Sequence, residues 1–356
     1  MARWPDHRIQ KLLGIELPIV QAPMAGANLS AMAIAVSEAG GLGSLPCAML
    51  SAEQMRAELE TIRRQTSRPI NANFFCHQLP ADPAHEQAWK QRLAKYYVEL
   101  GLDPQAPLPS ANRRPFDAAA CDLVTELKPE VVSFHFGMPD PELLARVRAS
   151  GAKILSSATT VEEARCLEEQ GCDAIIAQGY EAGGHRGMFL SHDISTQAGT
   201  MALVPQIVDA VSVPVIAAGG IADARGIAAA FALGAAAVQL GTAYLLCPEA
   251  TLSAVHRQAL KNLQDNGTAI TNVFSGRPAR GIVNRLIREV GPMSPLAPPF
   301  PLASSAIAPL RKHSEGIGSE DFAQMWSGQS GGLCRELPAG DLTRQLAAET
   351  LSIIDG

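Results

Sequence analysis

The chain has 356 residues, 47% of them hydrophobic, 18% charged and 5% aromatic, a globular composition sufficient for one large domain or two ordinary ones. A formal charge of −6 speaks against nucleic-acid binding, which calls for a basic face. No run approaches about 18 uncharged apolar residues, so no membrane span is expected.

Short apolar runs recur along the chain, and helical patterns follow most of them. The first strand is expected at Leu17–Met24, and the helical run after it stops at Gly40-Gly41. A short second strand fits Leu42–Leu45. Ser51 then suits an N-cap, its hydroxyl taking a free N–H of the helix that follows. The third strand is Pro69–Phe75. Residues 76–120 interrupt the rhythm as an insertion with a helix of its own, a lid or an interface. Strands four to six are expected at Val131–Phe134, Lys153–Ser157 and Ala174–Gln178, with Thr160 capping a helix that ends at Gly171. The seventh is Pro214–Ala218 and the eighth Ala236–Leu240, with an Asp223-capped helix between them that ends at Gly234. Residues 284–356 form a C-terminal extension. A proline-rich loop opens it, helical stretches follow around 319–326 and 341–353, and it is expected to pack near the barrel mouth.

These strands read as apolar runs rather than alternations, as strands do when both faces are covered. Intervening helices supply the crossovers that parallel strands need. Eight such units over residues 1–283 predict an α/β fold, a (β/α)₈ TIM barrel with an insertion after strand three. The alternative is an open doubly wound sheet. It lacks support because Pro23-Met24-Ala25-Gly26 stands where a GxGxxG turn would be, and no acidic residue fits the ribose role.

The N-terminal stretch Met1–Gln10 is polar and charged, without the apolar run of a secretion signal. Seven cysteines, none in a CxxC pair, read as reduced thiols of a cytoplasmic protein, and no clustered ligands suggest a metal site.

In a barrel, function gathers at the C-terminal ends of the strands. Ala218-Gly219-Gly220 ends the seventh and Gly241-Thr242 the eighth. Adjacent Gly-rich turns leave N–H groups uncrowded beside helix N-termini, a recurrent phosphate site, and Thr242 adds a hydroxyl. A pair of tight turns is the plainer alternative. The loop Gln178–Gly187 after strand six is dense in glycine and carries His185, which titrates near neutrality and suits a base or a hydrogen-bond donor to an anion. His135 ends strand four and either reaches a ligand or is a satisfied core histidine. Asn71 and Gln178 carry amides suited to the edge of a heterocycle, or to neighbouring backbone.

The ordered set QAPMAGA (Gln21–Ala27), AVSEAGGLGS (Ala35–Ser44), NANFF (Asn71–Phe75), SFHFG (Ser133–Gly137), QGYEAGGHRG (Gln178–Gly187), AAGGIAD (Ala217–Asp223), QLGTAYLLCPEA (Gln239–Ala250) and TNVFSGRPARGIVN (Thr271–Asn284) resembles the nitronate monooxygenases, bacterial class I. The resemblance implies an FMN-dependent enzyme, monomer or homodimer, that uses dioxygen to convert alkyl nitronates such as propionate 3-nitronate to carbonyl compounds and nitrite or related nitrogen oxides. It implies that Gly219, Gly220, Gly241 and Thr242 hold the phosphate. Ala22, Pro23 and Met24 would lie along the flavin ring, with Asn71, Gln178 and Gln239 as polar contacts and Gly183 and Gly184 approaching through the backbone. His185 matches an active-site histidine and His135 a second one, while Ser275 and Lys312 are candidates for the substrate pocket. The alternatives on a similar barrel are an NAD(P)H-dependent flavin reductase of quinones or enoyl thioesters, and a flavin-free enzyme of phosphorylated metabolites.

Overall fold

The computed structural model describes residues 3–80, 84–109 and 113–356. Helix α1 (Arg8–Leu13) plugs the N-terminal end of a barrel, where Ile9 and Leu13 pack against interior residues Val20, Leu42, Val131, Leu155 and Ile216. The barrel then runs β1 (Ile19–Gln21), α2 (Ser30–Glu38), β2 (Gly43–Pro46), α3 (Ala52–Gln65) and β3 (Ile70–Phe75). After α4 (Ala84–Glu99) and α5 (Ala118–Leu127) come β4 (Val131–His135), α6 (Pro141–Ala149), β5 (Lys153–Ala158), α7 (Val161–Glu169) and β6 (Ala174–Gln178). The circuit ends with α8 (Thr200–Ala210), β7 (Val215–Ala218), α9 (Ala224–Ala232) and β8 (Ala237–Leu240). All eight strands pair in parallel in the order β1-β8-β7-β6-β5-β4-β3-β2, and a bridge between Val20 and Leu42 joins the last to the first. The fold is the expected (β/α)₈ barrel.

Local chemistry fixes the crossovers. Ser51 caps α3 through a capping box with Gln54, Thr160 caps α7 by accepting from Glu163 N, and Asp223 caps α9 by accepting from Arg225 N and Gly226 N. Along β3 the faces alternate. Ile70, Ala72 and Phe74 pack under the helices, while Asn71 and Asn73 bond side chains of Ser44 and Ser133 on neighbouring strands inside the barrel.

Past β8 the chain leaves the ring for α10 (Ala254–Lys261), a hairpin of Thr268–Thr271 and Ala279–Ile282, α11 (Arg285–Val290) and α12 (Ala303–Gly316). The hairpin takes Gly184–His185 as a third strand. α4 from the insertion packs on α12, with Trp89 Nε1 donating to Ala303 O (3.2 Å) and Tyr97 OH to Ala306 O (2.7 Å). The two departures from the barrel rhythm therefore share one apolar cluster at the mouth. α13 (Ala339–Asp355) returns to pack between α9 and α2, the place in the ring of the helix after β8. The C-terminal segment thus divides, its first part at the mouth and its last helix in the ring.

The expected helix at 319–326 is not one. Ser319 caps a turn instead, its Oγ accepting from Asp321 N (3.2 Å), and Trp326 bridges Gly281. The helix lies earlier, in α12, where Pro309 inside it disguises the pattern.

Candidate active site

The C-terminal ends of the strands open into a cavity of about 430 Å³. At one end the turns after β7 and β8 lie side by side, because Ala218 pairs with Gln239. Gly219 and Gly220 have φ of 110° and 71°, conformations that L side chains rarely adopt. Ala22 and Met24, past β1, line the cavity with Pro23 and lie against Gly241, where an added Cβ would stand 3.5 Å from Ala22 Cβ. Thr242 Oγ1 accepts from Gly328 N (2.9 Å), which leaves its hydroxyl proton to donate into the cavity. Gly183 lines the cavity, and a Cβ there would also stand 2.5 Å from Gly328 N.

The loop after β6 is tied down by charge buried within it. Arg186 is fully buried and donates to Gly179 O (2.7 Å), Gln178 O (2.8 Å) and the Gln197 side chain. Glu181 accepts from Thr200 N (2.8 Å) and Thr200 Oγ1 (2.9 Å), capping α8 from outside. Gln178 spends both ends of its amide on the loop, donating to His185 O (2.9 Å) and accepting from Gly187 N (2.7 Å). Gln239 lines the cavity with an Oε1 that has no partner among the described residues. Asn71 is buried behind the cavity wall with its Oδ1 also unpartnered among the described residues, and Asn73, two residues on, lines the cavity.

His185 stands where the loop meets the hairpin. Its Nε2 lies 2.9 Å from Ser275 Oγ, and its ring meets Phe75, Phe136, Phe300 and Trp326 edge-on at centroid distances of 5.2 to 6.1 Å. Ser275 is therefore a partner of His185 and does not line the cavity. His135 Nε2–H donates to His185 O (3.1 Å), and its Nδ1 pairs with Ser157 Oγ (3.0 Å). With both ring nitrogens engaged, His135 holds the peptide of His185. Lys312 is exposed and outside the cavity; one position earlier on α12, about 100° around the helix, Arg311 lines it.

Burial holds these imidazoles neutral. It pushes His135 down to about 4. His185 lies well below its ordinary value, first through burial and then through the nearby Arg113, His135, Arg277 and His77. Arg113 and Arg277 are themselves pushed down to about 10 by burial, and neither forms an ion pair among the described residues. Arg277 stacks on Phe136 at 4.0 Å and Arg113 on Phe300 at 5.5 Å. Sequence reasoning missed this cationic, aromatic surround. Arg277 sits inside a recognised motif, but the approach of Arg113 to His185 left no local signal.

A family model described as nitronate monooxygenase matches residues 6–349. A nitronate monooxygenase of Pseudomonas aeruginosa is 44% identical over 96% of this chain and 98% of its own length. Another from Paraburkholderia phytofirmans is 41% identical over 97% and 95%. Among solved structures, a nitroalkane oxidase from Streptomyces ansochromogenes superposes with a TM-score of 0.89 at 39% identity, covering 98% of this chain and 99% of that one. FabK from Thermotoga maritima superposes at 0.73 with 28% identity, covering 98% and 97%. The chain belongs to the nitronate monooxygenase family and is an oxidoreductase on a (β/α)₈ barrel.

Proposed function

We propose that the protein binds FMN and uses dioxygen to oxidise alkyl nitronates, releasing a carbonyl compound and nitrite or related nitrogen oxides. The residues present fit such a cofactor. Two glycine turns and the free proton of Thr242 suit a phosphate, and the unpartnered amide oxygen of Gln239 in the cavity wall suits a donor of a heterocycle's edge. Gly219, Gly220, Gly241 and Thr242 would hold the phosphate. Ala22, Pro23 and Met24 would line the ring, and the Gly183-Gly184 backbone would close over it. When bound, the flavin supplies the redox chemistry and the reaction with oxygen.

The observation that carries the choice of substrate is the neutral state of His185 among cations. An imidazole far below its ordinary pKa is a weak base, poorly matched to deprotonating a neutral nitroalkane. The charges that depress it favour an anion that arrives already formed, and a neutral imidazole can still donate one N–H to it. Ser275 permits this when its hydroxyl donates to Nε2 at 2.9 Å in preference to Arg277 O at 3.4 Å, which leaves Nδ1–H to donate. The aromatic surround excludes water and strengthens both interactions.

The test is an anaerobic absorption spectrum of the purified protein before and after propionate 3-nitronate, and separately after NADH. Flavin reduction by the nitronate, with oxygen uptake and nitrite release once air is admitted, supports the reading. Rapid bleaching by NADH with no response to nitronate overturns it in favour of a reductase.

A further inference from the structure

A glutamate outside the cavity reaches across to the loop that carries His185. Thr160 and Glu163 stand at the N-cap and third positions of α7, the spacing of a capping box. Thr160 performs its half by accepting from Glu163 N. The Glu163 carboxylate does not turn back to the helix. Its Oε2 accepts from Thr159 N (2.7 Å) and Thr159 Oγ1 (2.6 Å), just past β5. Its Oε1 accepts from Phe189 N (2.5 Å) and Leu190 N (3.2 Å), in the segment that follows His185. Glu163 is 1% exposed and is not among the residues that line the cavity. A carboxylate is costly to bury, and an exposed glutamate would cap α7 as well. Its four donors make the burial tolerable, and two of them belong to the histidine loop.

The same carboxylate reaches the other side of His185 through a relay. Arg186 Nε (3.1 Å) and Nη2 (3.0 Å) donate to Gln197 Oε1. Gln197 Nε2 donates to Thr159 Oγ1 (2.9 Å), and that hydroxyl donates to Glu163. Every bond runs in one direction, from a buried cation to a buried acid, and bonds aligned in this way polarise one another. No ion pair among the described residues joins the two ends directly. Glu163 also acts as a distant countercharge to Arg277, whose guanidinium donates to Met188 O. The backbone on both sides of His185 is thus tied to one side chain.

We propose that Glu163 is a positioning residue for His185: it clamps Phe189 and Leu190 directly and Arg186 through Thr159 and Gln197, and so fixes the imidazole where its Nδ1–H meets the nitronate. Glu163 acts only through the loop and touches no reacting atom. Such precision matters because a misplacement of about 1 Å can lower a rate by about 100-fold. The proposal rests on the reading of His185 as the group that binds the nitronate, but the clamp can be measured without turnover.

The experiment begins with Glu163→Gln. Whichever way the new amide turns, its NH₂ group faces donors, so one side of the clamp is lost. In the holoenzyme kcat with propionate 3-nitronate should fall by about 30-fold, while KM changes by no more than about threefold. Glu162→Gln, at an exposed position on the same turn, is the control and should leave both unchanged. In a His185→Asn background, Glu163→Gln should lower the residual kcat by no more than about threefold, because the group it positions is gone. An equal loss in both backgrounds marks a merely structural role and overturns the proposal. Thr159→Val and Gln197→Leu cut the relay with the carboxylate in place, so they carry the same cycle even if Glu163→Gln fails to fold. Each should lower kcat by about fivefold in the wild-type background alone, and no loss from either overturns the relay. Amide hydrogen exchange of the holoenzymes supplies the readout without turnover. Residues 186–190 should exchange at least about tenfold faster in Glu163→Gln, or in Thr159→Val, while β1 to β4 exchange as in the wild type. Unchanged protection at Phe189 and Leu190 in Glu163→Gln overturns the proposal. Faster exchange there in a protein that oxidises no nitronate would instead sink the functional reading and leave the clamp standing.

Discussion

Replacing Gly219 by alanine tests how the barrel makes its phosphate turn. Its φ of 110° lies outside the conformations an L residue adopts comfortably. Strain of that kind is worth about 1–3 kcal/mol. The new Cβ would also stand 3.0 Å from Thr200 Oγ1 and 3.1 Å from both Ala182 N and Gly179 O. Two of these are backbone atoms of the loop that carries His185, and crowding a packed interior adds about 1–3 kcal/mol more. The total, about 2–6 kcal/mol, is a sizeable part of the 5–15 kcal/mol typical of a whole domain. At about 2 °C per kcal/mol for a chain this long, Tm should fall by roughly 4–12 °C. FMN affinity should drop as well, because relief of the clash moves the turn that offers its N–H groups. Gly151→Ala is the control. Its φ is 93°, but nothing lies within 4 Å of the added Cβ, so strain acts alone and far from the cavity. Urea unfolding of the flavin-free proteins, with FMN titrations of each, separates the two effects. Equal destabilisation by the two substitutions, or an FMN affinity unchanged in Gly219→Ala, would refute the reasoning.

Two other outcomes are expected. His185→Asn should lower kcat with nitronates by about 100-fold while changing the FMN Kd by no more than about threefold; steady-state rates equal to the wild type would remove His185 from the chemistry. The buried histidines should make the fold acid-sensitive: His135 sits at about 4 against an ordinary 6.5, so above pH 6.5 it is neutral in both states and contributes no slope. Below pH 6.5 the unfolded chain takes up a proton that the fold refuses, and stability falls by up to about 1.4 kcal/mol per pH unit until about pH 4. Urea midpoints at pH 7, 6 and 5 should show that decline, and His135→Gln should make it shallower by one histidine's share, since burial depresses His77, His185 and His256 as well; equal midpoints would contradict the burial argument.

The barrel was legible because its strands are buried on both faces, so each reads as an apolar run between helical segments. Caps such as Ser51, Thr160 and Asp223 announced themselves through local chemistry. The segments between β8 and α13 were less legible because their order comes from contacts distant in sequence. α12 is helical despite Pro309, and Trp89 and Tyr97 of the insertion hold it in place through the carbonyls of Ala303 and Ala306. Among site residues, glycines that need positive φ and the histidine at the loop's edge are local signals. Arg113 is not. Nothing around it in the sequence says that the insertion folds back on β3, so only the assembled fold shows a cation at the mouth. Lys312 shows the same limit in reverse, since one residue of helical phase separates an exposed side chain from Arg311 in the wall.

The chain carries 35 acidic residues against 29 Lys and Arg, yet Arg113 and Arg277, both desolvated beside His185, have no acid paired with them among the described residues. Packing alone would favour an apolar residue or a nearby carboxylate at such positions. The fold therefore carries an electrostatic deficit that an incoming anion relieves. Binding to the folded state alone stabilises it by RT ln(1 + [L]/Kd), about 2.7 kcal/mol at a hundredfold excess over Kd. Saturating succinate should accordingly raise Tm by roughly 5 °C in the wild type, at about 2 °C per kcal/mol. Arg113→Gln should be less destabilised than the loss of a buried ion pair would suggest, because it has no internal partner to strand, and its Tm should rise far less with succinate. A wild-type Tm insensitive to succinate would mean that the buried cations are satisfied within the protein, and that the cavity's charge has no bearing on which substrates it accepts.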